Sequence, residues 1–147
     1  CLDQNIHSCN MLNSILAKIQ ANVAGVDDAL MLDLRGYVAE TNATHVFVVQ
    51  RGRVLTGHTH ACPEGVTRAT VLELCGAHGI DHEVRDLSTA DVYRADEMFC
   101  TGTMGELAPV VEIDGRPIGE RQRGPMTVRL TELFRERTRT EGVVVCE

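Results

Sequence analysis

The sequence predicts a mixed α/β (α+β) fold with a mostly antiparallel sheet or pseudo-barrel and flanking helices. Segments with helical periodicity lie near each end of the chain and in its middle. Between them, short apolar runs alternate with glycine-containing turns, which is the pattern of β-hairpins. Because helices and hairpins follow one another in a mixed order, a single layered domain is favoured.

The first helix is predicted over residues 10–24, where apolar residues recur every three to four positions and Gly25 supplies a stop. Its apolar residues are Leu12, Ile15, Leu16, Ile19 and Val23. Two hairpins are expected next. Their predicted strands are 29–33 with 37–40, and 46–50 with 54–56.

The second half of the chain predicts two long helices, one short helix and three strands. The middle helix spans 67–78 and is capped by Gly79. Ser88 and Asp91 have the spacing of a capping box, and Pro125 suits the first position of a last helix that runs to about Arg137. The strands are expected at 82–87, 97–101 and 110–113, the last leading into an Asp114-Gly115 turn.

Composition restricts the class of protein. A chain of 147 residues with 44% hydrophobic and 24% charged residues is typical of one globular domain, and the 3% aromatic content requires an aliphatic core. The net charge of -7 argues against a nucleic-acid or anionic-membrane partner. No apolar run reaches the roughly 20 residues of a membrane span. Six scattered cysteines favour free thiols and a cytoplasmic location.

The segment 62–68 is the strongest functional signal. Gly65 precedes the middle helix, so the backbone N–H groups at the helix start lack partners within the helix, and Thr67 adds a hydroxyl there. Together with the helix dipole they form a site for a phosphate or another anion. A second glycine turn at 101–106 follows a predicted strand and has the same character. Two such turns predict two walls of one anion pocket.

A metal site is the alternative for the segment before this helix. His58, His60 and Cys62 alternate, so in an extended segment they would share one face. No fourth ligand is evident nearby, and we expect no metal ion.

The order of motifs resembles the C-terminal domain of the fold type IV pyridoxal-phosphate enzymes, and most closely the branched-chain amino-acid aminotransferases. The resemblance covers nearly the whole chain, in the family's order and spacing. The segments that carry it are 10–18, 36–40, 64–68, 95–103, 112–119 and 124–127.

This resemblance implies pyridoxal 5'-phosphate as the cofactor and assigns roles to the residues that match. Glu40 would pair with the pyridine nitrogen, and backbone N–H groups of Met104 and Gly105 would bind the substrate carboxylate. The cofactor phosphate would be held by Val66, Thr67, Gly102 and Thr103.

The sequence departs from the family at the Schiff-base lysine. The expected window, residues 4–9, contains no lysine, and Lys18 inside the first helix is the only one in the chain. Asn5 or His7 takes the expected position, and spacing alone does not choose between them. We expect residues 1–147 to be the C-terminal cofactor-binding domain of a longer protein, with the N-terminal domain absent from this chain.

The implied function is transamination of branched-chain or similar amino acids to 2-oxo acids, by a protein that is a homodimer when complete. Without the lysine and the other domain, this chain alone is expected to be inactive. Two alternatives stay open: a non-catalytic module that binds pyridoxal phosphate or another phosphorylated ligand, and a relative in the lyase or D-amino-acid transaminase branches.

Overall fold

The computed structural model describes Cys9 and residues 11–142. Its helices are Leu12–Ala24 (α1), Val66–Ala77 (α2), Thr89–Tyr93 (α3) and Pro125–Thr140 (α4). Its strands are Leu30–Leu32 (β1), Val38–Thr41 (β2), His45–Gln50 (β3), Arg53–Thr56 (β4), His82–Val84 (β5), Glu97–Gly102 (β6), Glu106–Val110 (β7), Glu112–Ile113 (β8) and Arg116–Pro117 (β9). Within these residues no helix has the length and apolarity that a membrane crossing requires.

Five strands form the main sheet in the order β5-β4-β3-β6-β7. All neighbours pair antiparallel except β4 and β5, which are parallel and are connected through α2. The pairs β1–β2 and β8–β9 are separate two-stranded ribbons. The predicted class, a mixed and mostly antiparallel sheet with flanking helices, is confirmed.

The central strands β3 and β6 are buried on both faces. Along β3, Val46 and Val48 pack into one core while Phe47 and Val49 pack into the other, which α2 and α4 cover. Phe47 lies directly opposite Phe99 of β6, and the two rings stack with centroids 5.1 Å apart and planes 1° apart. Alternate side chains therefore anchor both layers of the protein to one pair of strands.

Two strand predictions were wrong: the strand expected at 82–87 is shorter, and the one expected at 110–113 is divided between the end of β7 and β8. The strand expected at 82–87 ends at Val84, because the Leu87 carbonyl leaves the sheet to accept a hydrogen bond from Val38 N at 2.8 Å. Strand β7 was missed because Pro109 interrupts its pattern. This proline is tolerated because β7 is an edge strand, where a missing N–H leaves no central ladder bond unmade.

Helix α1 forms where the periodicity predicts it and ends at Gly25, whose φ of 71° is left-handed. Its apolar stripe, however, faces away from the rest of the described chain. Leu12, Ile15, Leu16, Ile19 and Val23 are between 51% and 85% exposed. The residues buried on the opposite side are small, Ser14 and Ala21. The amphipathic pattern of α1 thus marks a surface, whereas an apolar stripe usually marks the core side of a helix.

The start of α4 is held by a buried carboxylate. Glu97, 8% exposed, accepts hydrogen bonds from Met126 N at 2.9 Å, Thr127 N at 2.8 Å and Thr127 Oγ1 at 2.7 Å. A Cβ at the N-cap residue Gly124 would lie 2.1 Å from the Glu97 carboxyl carbon. The absence of a side chain at 124 therefore admits the carboxylate to the helix terminus, where the dipole favours negative charge.

Replacing this carboxylate is expected to destabilise the fold. Glu97→Ala leaves three donors without their charged acceptor, and each such bond contributes roughly 1.5–3 kcal/mol. We expect the free energy of unfolding to fall by about 2–4 kcal/mol in urea titrations, after allowance for partial rehydration. The matched control is Glu73→Ala, which removes an exposed ion pair with Arg137 and is expected to change stability by less than about 1 kcal/mol. Equal losses in the two variants would contradict this account.

Candidate functional site

The turn between β2 and β3 is closed by side chains and contains no glycine. Thr41 N donates to Thr44 O at 2.7 Å, and Thr41 Oγ1 accepts from Ala43 N at 3.2 Å and Thr44 N at 3.0 Å. Asn42 exchanges hydrogen bonds with the Ala29 backbone, accepting from its N at 2.9 Å and donating to its O at 3.1 Å. Short polar side chains that bond the backbone in this way stabilise turns.

This turn brings Glu40 and His45 together. Glu40 is half-buried one residue before the end of β2. Its carboxylate makes no hydrogen bond or ion pair with the residues that the structure describes. Burial raises the pKa of Glu40 to about 7. His45 begins β3, and its Nε2 donates to the Pro63 carbonyl at 2.7 Å. Burial lowers the pKa of His45, which favours the neutral ring.

The N-terminus of α2 lies against the same histidine. Its N-cap residue is Gly65, and a Cβ there would lie 2.5 Å from His45 Cε1, so only glycine admits the ring. No side chain caps the helix, and its first backbone bond runs from Ala69 N to Gly65 O. The N–H groups of Val66 and Thr67 have no acceptor within the described part of the chain. Val66 is 84% exposed, so solvent and ligands have access to this end of the helix.

The turn between β6 and β7 approaches from the other side. His45 pairs with Thr101 across the β3–β6 ladder, and a Cβ on Gly102 would lie 3.1 Å from Thr44 Cγ2. The buried hydroxyl of Thr101 has no hydrogen-bond partner among the described residues. An unsatisfied buried hydroxyl is uncommon in folded proteins, and it marks this side of the site as incomplete.

The structure thus brings most predicted site residues to one end of the sheet. Glu40, the α2 terminus with Val66 and Thr67, and Gly102 are all neighbours of His45 or of its direct contacts. Thr103, Met104 and Gly105 form the exposed tip of the β6–β7 turn, with Met104 99% exposed. The positions Asn5 and His7 lie outside the described residues.

The proposed alternation of His58, His60 and Cys62 was wrong. Residues 57–62 are irregular, so no strand presents the three side chains on one face. His58 and His60 stack on each other at the surface with ring centroids 5.1 Å apart. Cys62 is buried, and its sulfur lies within 4.8 Å of a carboxylate oxygen of Glu40 and a ring nitrogen of His45.

Sequence reasoning missed two further residues of the site, His45 and Arg68. Arg68 is half-buried and donates from Nη2 to the Gly57 carbonyl at 2.8 Å, which ties α2 to the end of β4. Gly57 is required there because a Cβ would lie 2.9 Å from Val38 O. The predicted strand began at residue 46 and left His45 out, whereas the structure begins β3 at His45, directly after the polar turn of residues 41–44.

The single lysine lies elsewhere. Lys18 of α1 forms an ion pair with Asp28, with Nζ and Oδ1 3.6 Å apart, and hydrogen-bonds to the Asp27 carbonyl. A cavity of about 590 Å³ also lies away from the site, beside Glu97 and the start of α4. The Glu97 carboxylate beside this cavity already accepts hydrogen bonds from three donors, which hold it to the start of α4.

Comparison with known proteins identifies the family. The family model described as amino-transferase class IV matches residues 1–113. The chain belongs to the class IV aminotransferases. This aminotransferase chain is 52% identical over 144 residues to branched-chain-amino-acid aminotransferase-like protein 2 of Arabidopsis thaliana, covering 98% of the chain and 26% of that protein. It is 42% identical to a putative branched-chain-amino-acid aminotransferase of Methanocaldococcus jannaschii, covering 98% of the chain and 50% of the relative.

Solved structures of the same family share the fold. The branched-chain amino acid aminotransferase of Thermobaculum terrenum in its PLP-form superposes with a TM-score of 0.87 at 36% identity, over 92% of this chain and 45% of that one. The enzyme of Thermoproteus uzoniensis, solved with norvaline, gives 0.81 at 38% identity, over 86% of this chain and 42% of that one. This aminotransferase chain therefore spans half or less of these relatives.

Proposed function

We propose that residues 1–147 are the C-terminal, cofactor-binding domain of a pyridoxal-phosphate-dependent aminotransferase for branched-chain or similar amino acids. The observation that carries this proposal is the meeting of an uncapped helix terminus and an unpaired, half-buried carboxylate at one end of the sheet. The helix terminus is complementary to an anion such as a phosphate, and the carboxylate is complementary to a cationic ring nitrogen. The names of the relatives, and the PLP-form of the Thermobaculum terrenum enzyme, support the same assignment.

The phosphate would be held by the α2 terminus. The free N–H groups of Val66 and Thr67 and the Thr67 hydroxyl offer donors, and the dipole of a 12-residue helix adds positive potential. Gly102 and Thr103 would close the phosphate site from the β6–β7 turn. Because Gly102 lies close to Thr44, the absence of a side chain at 102 lets the β6–β7 turn approach the β2–β3 turn.

Glu40 would bind the pyridine nitrogen. When bound, pyridoxal phosphate supplies an electron sink for bonds at the α-carbon of an amino acid. A carboxylate that is desolvated and otherwise unpaired gains a partner when a protonated ring nitrogen faces it, and it keeps the proton on that nitrogen. Burial raises the pKa of Glu40 to about 7 in the chain alone, and the cationic partner would lower it again.

The substrate carboxylate would bind at the exposed tip of the β6–β7 turn, through the backbone N–H groups of Met104 and Gly105. The 99% exposure of Met104 leaves this tip accessible to a ligand or to the remainder of a complete enzyme. The lysine that would act as the base for the substrate's proton is absent from the expected window, residues 4–9. Asn5 or His7 would occupy its position, so we expect no transamination by this chain alone.

A non-catalytic binding module is the second candidate function. The observation that favours it is the absence of lysine from residues 4–9, together with the ion pair that holds Lys18 to Asp28. Such a module would keep the phosphate turns and Glu40 and bind pyridoxal phosphate without a covalent bond.

Binding of the cofactor by the chain as given is testable by calorimetry. The background is Lys18→Arg, which removes the only side-chain amine that could react with the aldehyde. Thr67→Ala combined with Thr103→Ala is expected to lower the affinity for pyridoxal phosphate about 10-fold or more, because a hydrogen bond to a charged group contributes roughly 1.5–3 kcal/mol.

The matched control is Thr138→Ala, which removes an exposed threonine from the far end of α4. It is expected to leave the affinity unchanged. Equal affinities in the double variant and in the control would reject the phosphate site.

Restoring a lysine tests the placement of the catalytic position. In a full-length context on the same Lys18→Arg background, Asn5→Lys and, separately, His7→Lys are compared for reaction with pyridoxal phosphate. One of them is expected to yield an imine that borohydride traps, located by peptide mass mapping. Gln4→Lys serves as the control within the same window. The placement fails if neither variant is trapped, or if the control is trapped equally.

We propose further that the complete protein is a homodimer and that α1 contributes to its contact surface. The apolar stripe of five exposed side chains on α1 supports this, since an exposed stripe of this kind usually marks an interface.

Sedimentation equilibrium of the 16.1 kDa chain tests the homodimer. The chain is expected to self-associate, and Leu16→Asp with Ile19→Asp is expected to leave a monomer because two charges would enter the contact. Gln20→Asp is the control on the same helix. A monomer at all concentrations before mutation would contradict the proposed contact through α1.

A further inference from the structure

Three side chains of metal-ligand type meet at the end of β2. A carboxylate oxygen of Glu40, a ring nitrogen of His45 and the sulfur of Cys62 all lie within 4.8 Å of one another. They come from β2, β3 and the loop before α2, so the fold, rather than sequence proximity, assembles them. Both sides of the cluster are fixed, by the Thr41–Thr44 turn and by the packing of His45 on Gly65.

The donor set suits a borderline divalent ion. Zn²⁺ binds Cys sulfur at about 2.3 Å, His nitrogen at about 2.0–2.1 Å and carboxylate oxygen at about 2.0–2.2 Å, which in a tetrahedron separates ligand atoms by roughly 3.3–3.8 Å. Contraction of the cluster by about 1 Å therefore completes the geometry. Glu40 has the side-chain freedom for it because no hydrogen bond holds its carboxylate among the described residues. Hard ions such as Mg²⁺ prefer all-oxygen sites.

The surroundings orient two of the three ligands. The carbonyl of Pro63 accepts a hydrogen bond from His45 Nε2 at 2.7 Å, so the lone pair of the neutral ring lies on Nδ1. A backbone carbonyl in this role is the usual outer partner of a metal-binding histidine. Cys62 is 1% exposed, with Sγ 3.7 Å from the Ala39 carbonyl.

The charges of the cluster balance. A thiolate and a carboxylate together carry the charge that a divalent ion neutralises, and the neutral imidazole adds none. Because a metal ion binds the thiolate, its binding displaces the thiol proton.

We propose that Glu40, His45 and Cys62 bind one Zn²⁺ ion, with the fourth coordination position left to water or to an added ligand. The proposed metal site shares Glu40 with the proposed cofactor site, so a metal ion and the cofactor would compete for that carboxylate. The metal test contains no cofactor and the cofactor test contains no metal ion, so failure of one proposal is distinguishable from failure of the other.

The test uses the 147-residue chain, reduced with a phosphine, which does not compete for metal as a thiol would. Dialysis against Zn²⁺ followed by elemental analysis is expected to give one ion per chain. Titration with Co²⁺ is expected to give the sulfur-to-metal charge-transfer absorption of a thiolate ligand and the intense visible bands of a tetrahedral site. Cys62→Ser is expected to abolish the charge-transfer band, and His45→Asn and Glu40→Gln to weaken binding about 10-fold or more.

Two matched controls separate this cluster from other thiols and histidines. Cys9→Ser removes an exposed thiol, and His60→Asn removes one of the two stacked histidines. Both are expected to bind as the parent chain does. Circular dichroism checks that each variant folds, and Glu40→Gln, which preserves side-chain size, tests the site should Cys62→Ser not fold. The proposal is overturned by the absence of stoichiometric metal, by a charge-transfer band lost in Cys9→Ser, or by unchanged affinity in Glu40→Gln and His45→Asn.

Discussion

The pairing of β3 with β6 is the constraint on which the rest of the molecule depends. Because both strands are buried on both faces, a slip of one residue would exchange the two cores, so the register is strongly determined. The stacked pair of Phe47 and Phe99 lies at its centre. The same register places His45 opposite Thr101, which sets the β2–β3 turn beside the β6–β7 turn. The candidate site is thus a product of core packing several residues away.

Local signals predicted most of the fold. Periodicity gave the long helices, and the Ser88–Asp91 capping box and Pro125 at the start of α4 appear as expected. These succeeded because capping and amphipathicity act within one or two turns of chain. The failures have tertiary causes: Pro109 is acceptable only because β7 is an edge strand, and the backbone of Leu87 is diverted to β2.

The site was predictable in part. Glu40 and the α2 terminus follow from recognisable turns and a helix start, which are local features. The contact of His45 and Cys62 with Glu40 was not predictable, because Cys62 reaches it through an irregular loop that no periodicity describes. The β2–β3 turn shows a related limit. Thr41, Asn42 and Thr44 close this turn with side-chain hydrogen bonds and without a glycine, so the usual glycine signal of a turn is missing from the sequence.

The inverted amphipathicity of α1 has a consequence for folding order. An isolated helix of 13 residues is marginal in water, and within the described part of the chain this one buries only Ser14 and Ala21. Most of the hydrophobic free energy that α1 can gain therefore comes from whatever covers its outer stripe. Amide hydrogen exchange in α1 should then be governed by association, while exchange in β3 and β6 follows global unfolding. The stable folding of α1 and the association that covers its apolar stripe are therefore thermodynamically coupled.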